Sequence, residues 1–140
     1  MREILFRGRR IDTGEWVYGF YGEYFNGKKN IPCISIVDTH AIAGSFCYEV
    51  IPETVGQFTG LYDKNGVRIF ENDIVRYTDL AFNPNIGRFE NMIFTSAVTY
   101  NLDNGCFSPF EPDTFESYIR AENVEVIGNR FDNPELLKGK

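Results

Sequence analysis

Val55-Gly56-Gln57-Phe58-Thr59-Gly60-Leu61-Tyr62-Asp63-Lys64-Asn65-Gly66-Val67-Arg68-Ile69-Phe70 reads as a strand, a turn and a second strand. Its flanks are rich in β-branched and aromatic residues. Asn65-Gly66 supplies the backbone freedom of a tight reversal, because Gly reaches positive φ without steric cost and Asn tolerates it. A type I′ turn, with positive φ at both central residues, is the expected form. The same punctuation recurs at Asn26-Gly27 and Asn104-Gly105. The first of these predicts a hairpin joining Trp16 to Phe25 with Ile31 to Val37, both strands apolar enough to face a core. The other predicts a hairpin joining Thr95 to Tyr100 with Cys106 to Ser108. A further strand, Asn123 to Gly128, alternates and should turn one face inward.

Elsewhere the signals weaken. From Thr78 to Asn91 apolar residues are poorly paired, and Asn83-Pro84-Asn85 and Gly87 interrupt them, so this stretch is expected to be a mobile loop or a boundary between lobes. Helix signals are few. Asn133-Pro134-Glu135-Leu136-Leu137 predicts one short C-terminal turn, with Asn133 as cap and Pro134 at the first helical position. Asp113 to Ala121 is a second candidate, with Asp113 and Glu116 as a capping pair and Phe115, Tyr118 and Ile119 on one face.

The composition, 43% apolar with 16% aromatic and 24% charged, is that of a folded chain, and 140 residues suit one domain. Residues 1–140 are therefore taken as a single domain, with 1–54 and 55–140 as its possible lobes. A net charge of −6 argues against broad binding to a phosphate backbone. Arg2, Arg7, Arg9 and Arg10 are a local exception, read as water-facing residues of a strand, with an anion-binding patch as the alternative. The opening residues lack a signal-peptide core and no stretch is apolar enough to span a membrane, so a cytoplasmic location is expected.

Chemistry is hard to find in this chain. Cys33, Cys47 and Cys106 are scattered and lack the close pairs of zinc or redox sites, which fits free, mostly buried thiols. His40 is the lone histidine and has no nucleophile motif beside it; together with Cys33 and Cys47 it matches no usual zinc spacing. Asp63, Glu71 and Asp73 cluster around the 55–70 hairpin, where short polar side chains that bond the nearby backbone explain them better than acid and base roles do. No phosphate-cradling or dinucleotide glycine motif occurs. Trp16, Tyr18, Phe20, Tyr24 and Phe25 could stack on single-stranded bases, but core packing is the preferred reading because no basic groove accompanies them. No catalytic, cofactor-binding or metal-ligating residue is assigned, and no cofactor is expected.

Longer stretches carry a resemblance. Met1 to Gly8 with Gly14-Glu15-Trp16-Val17-Tyr18-Gly19, Tyr48 to Leu61, Asp63-Lys64-Asn65-Gly66 with Ile69-Phe70-Glu71-Asn72-Asp73-Ile74-Val75, and Val126-Ile127-Gly128-Asn129 with Asn133 to Leu137 together resemble the YopX family. Asn72 departs from the Gly usual there, and Asn tolerates the same left-handed geometry. The resemblance implies an origin in a phage or prophage of a low-GC Gram-positive bacterium. It also implies a mainly β fold, with an N-terminal hairpin packed on a small, partly open, SH3-like barrel around residues 55 to 130. It supplies no active-site residue.

The leading expectation for function is a non-enzymatic accessory protein that binds a host or phage protein. Nucleic-acid association, direct or by acidic mimicry of DNA, is a second class, and a homo-oligomeric structural protein is a third. Enzymatic activity ranks last, and would need Asp63, Glu71, Asp73 and His40 in one cleft.

Overall fold

The computed structural model of the chain describes residues 3–37, 45–111 and 119–138. These residues are mainly β, with short 3-10 turns, no α-helix and open sheets. The chain forms two compact units, Met1–Gly60 and Leu61–Lys140.

In the first unit, β1 (Phe6–Arg9), β2 (Trp16–Phe25), β3 (Asn30–Val37), β4 (Ser45–Glu49) and all but the last two residues of β5 (Gly56–Tyr62) lie in the order β4-β3-β2-β1-β5. Val17, Ile34 and Val50 form its core, with Phe6, Ile36, Tyr48 and Val55 packed against them. The expected 16–37 hairpin is present, but its aromatic series does not fill the core: Tyr18, Phe20, Tyr24 and Phe25 are exposed. The period of two explains the difference. β1 covers only Trp16 to Gly19, where Val17 and Gly19 point inward, and the rest of β2 extends past it with β3 as its partner.

Gly19 is required by this packing. A Cβ there would run into the Ser35 carbonyl oxygen, a backbone atom that cannot move aside, and would also crowd Ile34. Gly19→Ala is expected to destabilise the protein by about 3 kcal/mol. Urea denaturation followed by the fluorescence of Trp16, the only tryptophan, will measure it.

The second unit holds β6 (Arg68–Phe70), β7 (Asp73–Asn83), β8 (Arg88–Ala97), β9 (Thr99–Asn101), β10 (Cys106–Ser108) and β11 (Glu125–Asn129). β11, β7 and β8 form one antiparallel sheet in that order, and β9 and β10 a separate ribbon. Ile69, Val75, Val98 and Val124 are its buried core, flanked by Tyr77, Phe107, Phe110 and Ile119.

All three Asn-Gly reversals exist, but not as type I′ turns. Gly27, Gly66 and Gly105 have positive φ, whereas Asn72 is the only such non-glycine among the described residues. The loops run four or five residues, longer than the two-residue type I′ connection, and in the first and third of them the Asn side chain serves as a local acceptor. Asn26 Oδ1 accepts the N–H groups of Lys28 and Lys29, and Asn104 Oδ1 accepts that of Cys106.

Other expectations need correction. Thr95 to Ala97 belong to β8, so the third hairpin is only Thr99–Asn101 with Cys106–Ser108. Residues 78–91 are no loop: they are the distal part of the long β7–β8 hairpin, paired from Ile74↔Ala97 out to Asn83↔Arg88. Pro134–Leu137 is a 3-10 turn as expected, yet Asn133 does not cap it; its Oδ1 accepts the Asn129 N–H instead. Of the 113–121 helix, residues 113–118 lie outside the described residues, and Ala121 starts a 3-10 turn, Ala121–Asn123.

Asn72, between β6 and β7, has φ 74°. Its N–H donates to the Val98 carbonyl, and its own carbonyl accepts from the Arg130 N–H. Asn72→Ala is expected to cost about 1–2 kcal/mol, the left-handed penalty for a Cβ that lacks a local polar group, while Asn72→Gly stays near wild type. Paired denaturation curves will show the contrast.

Candidate interaction surface

β11 pairs with β7 only from Asp73 to Arg76. Beyond Arg76, β7 and β8 have only each other as strand partners among the described residues, and from Arg76 to Ala97 no residue is fully buried. Alternation sorts this arm into two faces. One carries Thr78 opposite Ile93, Leu80 opposite Asn91, and Phe82 opposite Phe89. Its apolar side chains are largely in solvent: Ile93 is 71% exposed, Phe89 63%, Leu80 60% and Phe82 52%. Phe82 and Phe89 meet edge to face at 5.4 Å between centroids. The other face holds Tyr77 stacked on Phe94 at 5.8 Å, Asp79 opposite Met92, and Asn83 donating to Glu90 at 2.6 Å.

The outer edge of β8 has no partner strand among the described residues. Natural sheets commonly blunt such edges with Lys, Pro, bulges or short strands. Arg88–Ala97 has none of these: it runs ten residues without Lys, Pro or Gly, and its two charges, Arg88 and Glu90, sit at the distal end. At the base of the arm, a shallow pocket of about 120 Å³ is lined by Lys64, Arg76, Thr78, Ile93 and Glu125, among others. Glu125 there contacts Lys64 and Arg76, each at 3.1 Å. The hydrogen bond and charge of Lys64, then Arg76, hold its carboxyl below the ordinary carboxylate range. An ion cluster of mutually satisfied charges thus borders the apolar strip.

The residues singled out from sequence fall elsewhere. Asp63 is buried and spent on the backbone: Oδ1 accepts from Asn65 at 2.8 Å and Val67 at 2.9 Å, and Oδ2 from Val126 at 3.0 Å. Asp73 is buried too, and accepts the Phe70 N–H at 2.8 Å. Glu71 is half-buried in the turn between β6 and β7. For Asp63 and Asp73 the bonds to Asn65, Val67 and Phe70 are those of turns, while the bond from Val126 reaches Asp63 from a distant strand. His40 lies outside the described residues, and among the described residues no three His, Cys, Asp or Glu side chains are grouped to hold a metal. Of the cysteines only Cys33 is buried, Cys106 being half-buried and Cys47 exposed.

Arg2 lies outside the described residues, and Arg7, Arg9 and Arg10 are not a water-facing row. Arg7 is only 6% exposed, and its guanidinium lies 4.7 Å from the Trp16 ring centre, with that of Arg9 at 5.2 Å. Arg10 stacks on Tyr48 at 4.3 Å and forms a two-pronged bond with Asp12, at 2.9 and 2.7 Å. Trp16 and Tyr48 thus act as platforms for cations. The apolar arm went unread because its aromatic residues stand beside Asn, Asp and Pro, which mask the period of two.

No curated protein matches this chain. Among solved structures it is similar to the crystal structure of protein EF1440 from Enterococcus faecalis, with a TM-score of 0.53 and 25% identity, covering 99% of this chain and 100% of that one. The family described as YopX protein matches residues 5–138. That span takes in every quoted motif except the first four residues, and the chain belongs to the YopX family.

Proposed function

We propose that this chain is a non-enzymatic phage or prophage accessory protein, working in the bacterial cytoplasm, that binds a host or phage protein through the distal β7–β8 hairpin. The observation that carries this reading is the undefended β8 edge beside the apolar strip of Leu80, Phe82, Phe89 and Ile93. An unpaired edge is answered by another extended backbone, and an exposed apolar strip by alternating apolar side chains. The partner is therefore a protein presenting an extended segment with apolar residues at every second position, added as a strand beside β8. Asp63 and Asp73, bound to backbone N–H groups, support a role without acid–base chemistry. Around residues 55 to 130 a small, partly open, SH3-like arrangement belongs to the same reading, supported by the open sheets.

Affinity capture of the tagged protein from host lysate, with and without nuclease, tests the proposal when run beside an Ile93→Lys variant. A stoichiometric, nuclease-resistant protein held by the wild type and lost by the variant, with β8 amides newly protected from hydrogen exchange in the complex, is the expected result. Capture indifferent to Ile93→Lys, recovery abolished by nuclease, or self-association alone would each overturn it.

A further inference from the structure

β3 and β4 place two of the three cysteines side by side. In their antiparallel register Cys33 lies opposite Glu49 and Ser35 opposite Cys47, so the cysteines are diagonal neighbours on one face of the pair. Both are free; Cys33 is buried at 4% exposure and Cys47 is exposed. The Cys47 side chain also helps to raise the Cys33 thiol, as a close neighbour on that face does. Diagonal neighbours stand about 7–8 Å apart between Cα atoms, just beyond the usual disulfide span, so closure draws β3 and β4 together by about 1 Å at this point.

We propose that Cys33 and Cys47 are a reversible redox pair that closes a β3–β4 cross-strand disulfide by exchange with a small-molecule disulfide of the glutathione class. The two thiols differ in the way such a pair needs. Burial, then the Cys47 side chain, pushes the Cys33 thiol up to about 11, so near neutral pH it stays protonated and does not attack first. Cys47 meets the solvent. Its thiolate attacks one sulfur of the small disulfide, forming a mixed disulfide and releasing one small thiolate, which takes up a proton. Cys33 then gives up its proton, and its sulfur attacks the Cys47 sulfur and expels the second small thiol. In the balance, two protein thiols are oxidised to one disulfide and one small disulfide is reduced to two thiols. Cys106, in the other unit, donates only a weak bond to the Asn104 carbonyl at 3.6 Å and serves as an internal reference.

The test is to incubate the reduced, full-length protein with oxidised glutathione under native conditions, quench with acid, alkylate, and read intact mass and peptide map. The wild type is expected to lose two hydrogens and to yield a linked peptide pair containing Cys33 and Cys47. Cys33→Ser should stop as the glutathione adduct of Cys47, and Cys47→Ser should leave Cys33 unmodified. A wild type that stops at the Cys47 adduct, leaves both thiols unreacted, or forms the link only in denaturant overturns the proposal, and the wild-type readout decides even if Cys33→Ser fails to fold.

Discussion

Asp63→Ala will destabilise the protein by about 4 kcal/mol, because it leaves three backbone N–H groups, those of Asn65, Val67 and Val126, without the charged acceptor built for them. Two of these donors shape the turn before β6, and the third fastens β11. Removing one carboxylate therefore loosens a local and a distant element together. Asp63→Asn will recover part of the loss, since its oxygen can still serve Asn65 and Val67, but its amide N–H₂ would face the Val126 N–H, donor against donor. Urea denaturation of the three proteins will rank them wild type, Asn, Ala. Burial alone pushes the Asp63 carboxyl up, yet the N–H groups of Val126, Val67 and Asn65 and the charge of Lys64 outweigh it and hold it below the ordinary range. A carboxyl with a lowered folded pKa contributes stability above its unfolded value, near 3.8, and that contribution is lost as pH falls through the lower folded value. Wild-type stability should therefore drop in that acid window more steeply than that of Asp63→Asn, which has no proton to take up there.

Combining Phe82→Ser with Ile93→Lys will weaken partner binding about 30-fold or more, the size expected when an apolar anchor is removed from a buried contact. The same substitutions should leave stability within about 1 kcal/mol, because both side chains are mostly in solvent and only the Phe82–Phe89 ring contact is lost. Binding by titration calorimetry with the captured partner, set beside melting curves, separates the two effects. Loss of binding with an unchanged melt places the contact on the arm; parallel losses would mean that the arm is needed for folding.

The 55–70 hairpin was legible because its signal is local: a Gly that must take positive φ, flanked by strand formers, with an Asp whose side chain reaches the next N–H groups. The 78–91 stretch was not, because its order is cooperative. Phe82 finds Phe89 and Thr78 finds Ile93 only once the register is set at Ile74 and Ala97, and no single residue announces that pairing. The arginines show a third case. A run of cations reads as a wet surface until the fold supplies Trp16 and Tyr48 as platforms beneath it, and the partner of a cation on a ring stands across the sheet, out of reach of local pattern. Of the interaction surface itself, composition showed the residues but not that β11 stops at Arg76 and leaves the rest of β7 and β8 bare.

That early stop of β11 bears on how the chain matures as it is made. The bond between Asp63 and Val126 and the pairing of β7 with Glu125–Asn129 join residues more than 40 positions apart, so the three-stranded sheet of the second unit is incomplete until nearly all of it has been synthesised. The β7–β8 hairpin, whose contacts are local, can form well before then. Each nascent chain therefore passes through an interval on the ribosome in which its apolar arm is already built while the strand that anchors the base is still to come, and the order of translation rather than final stability sets how long that surface is open to early partners.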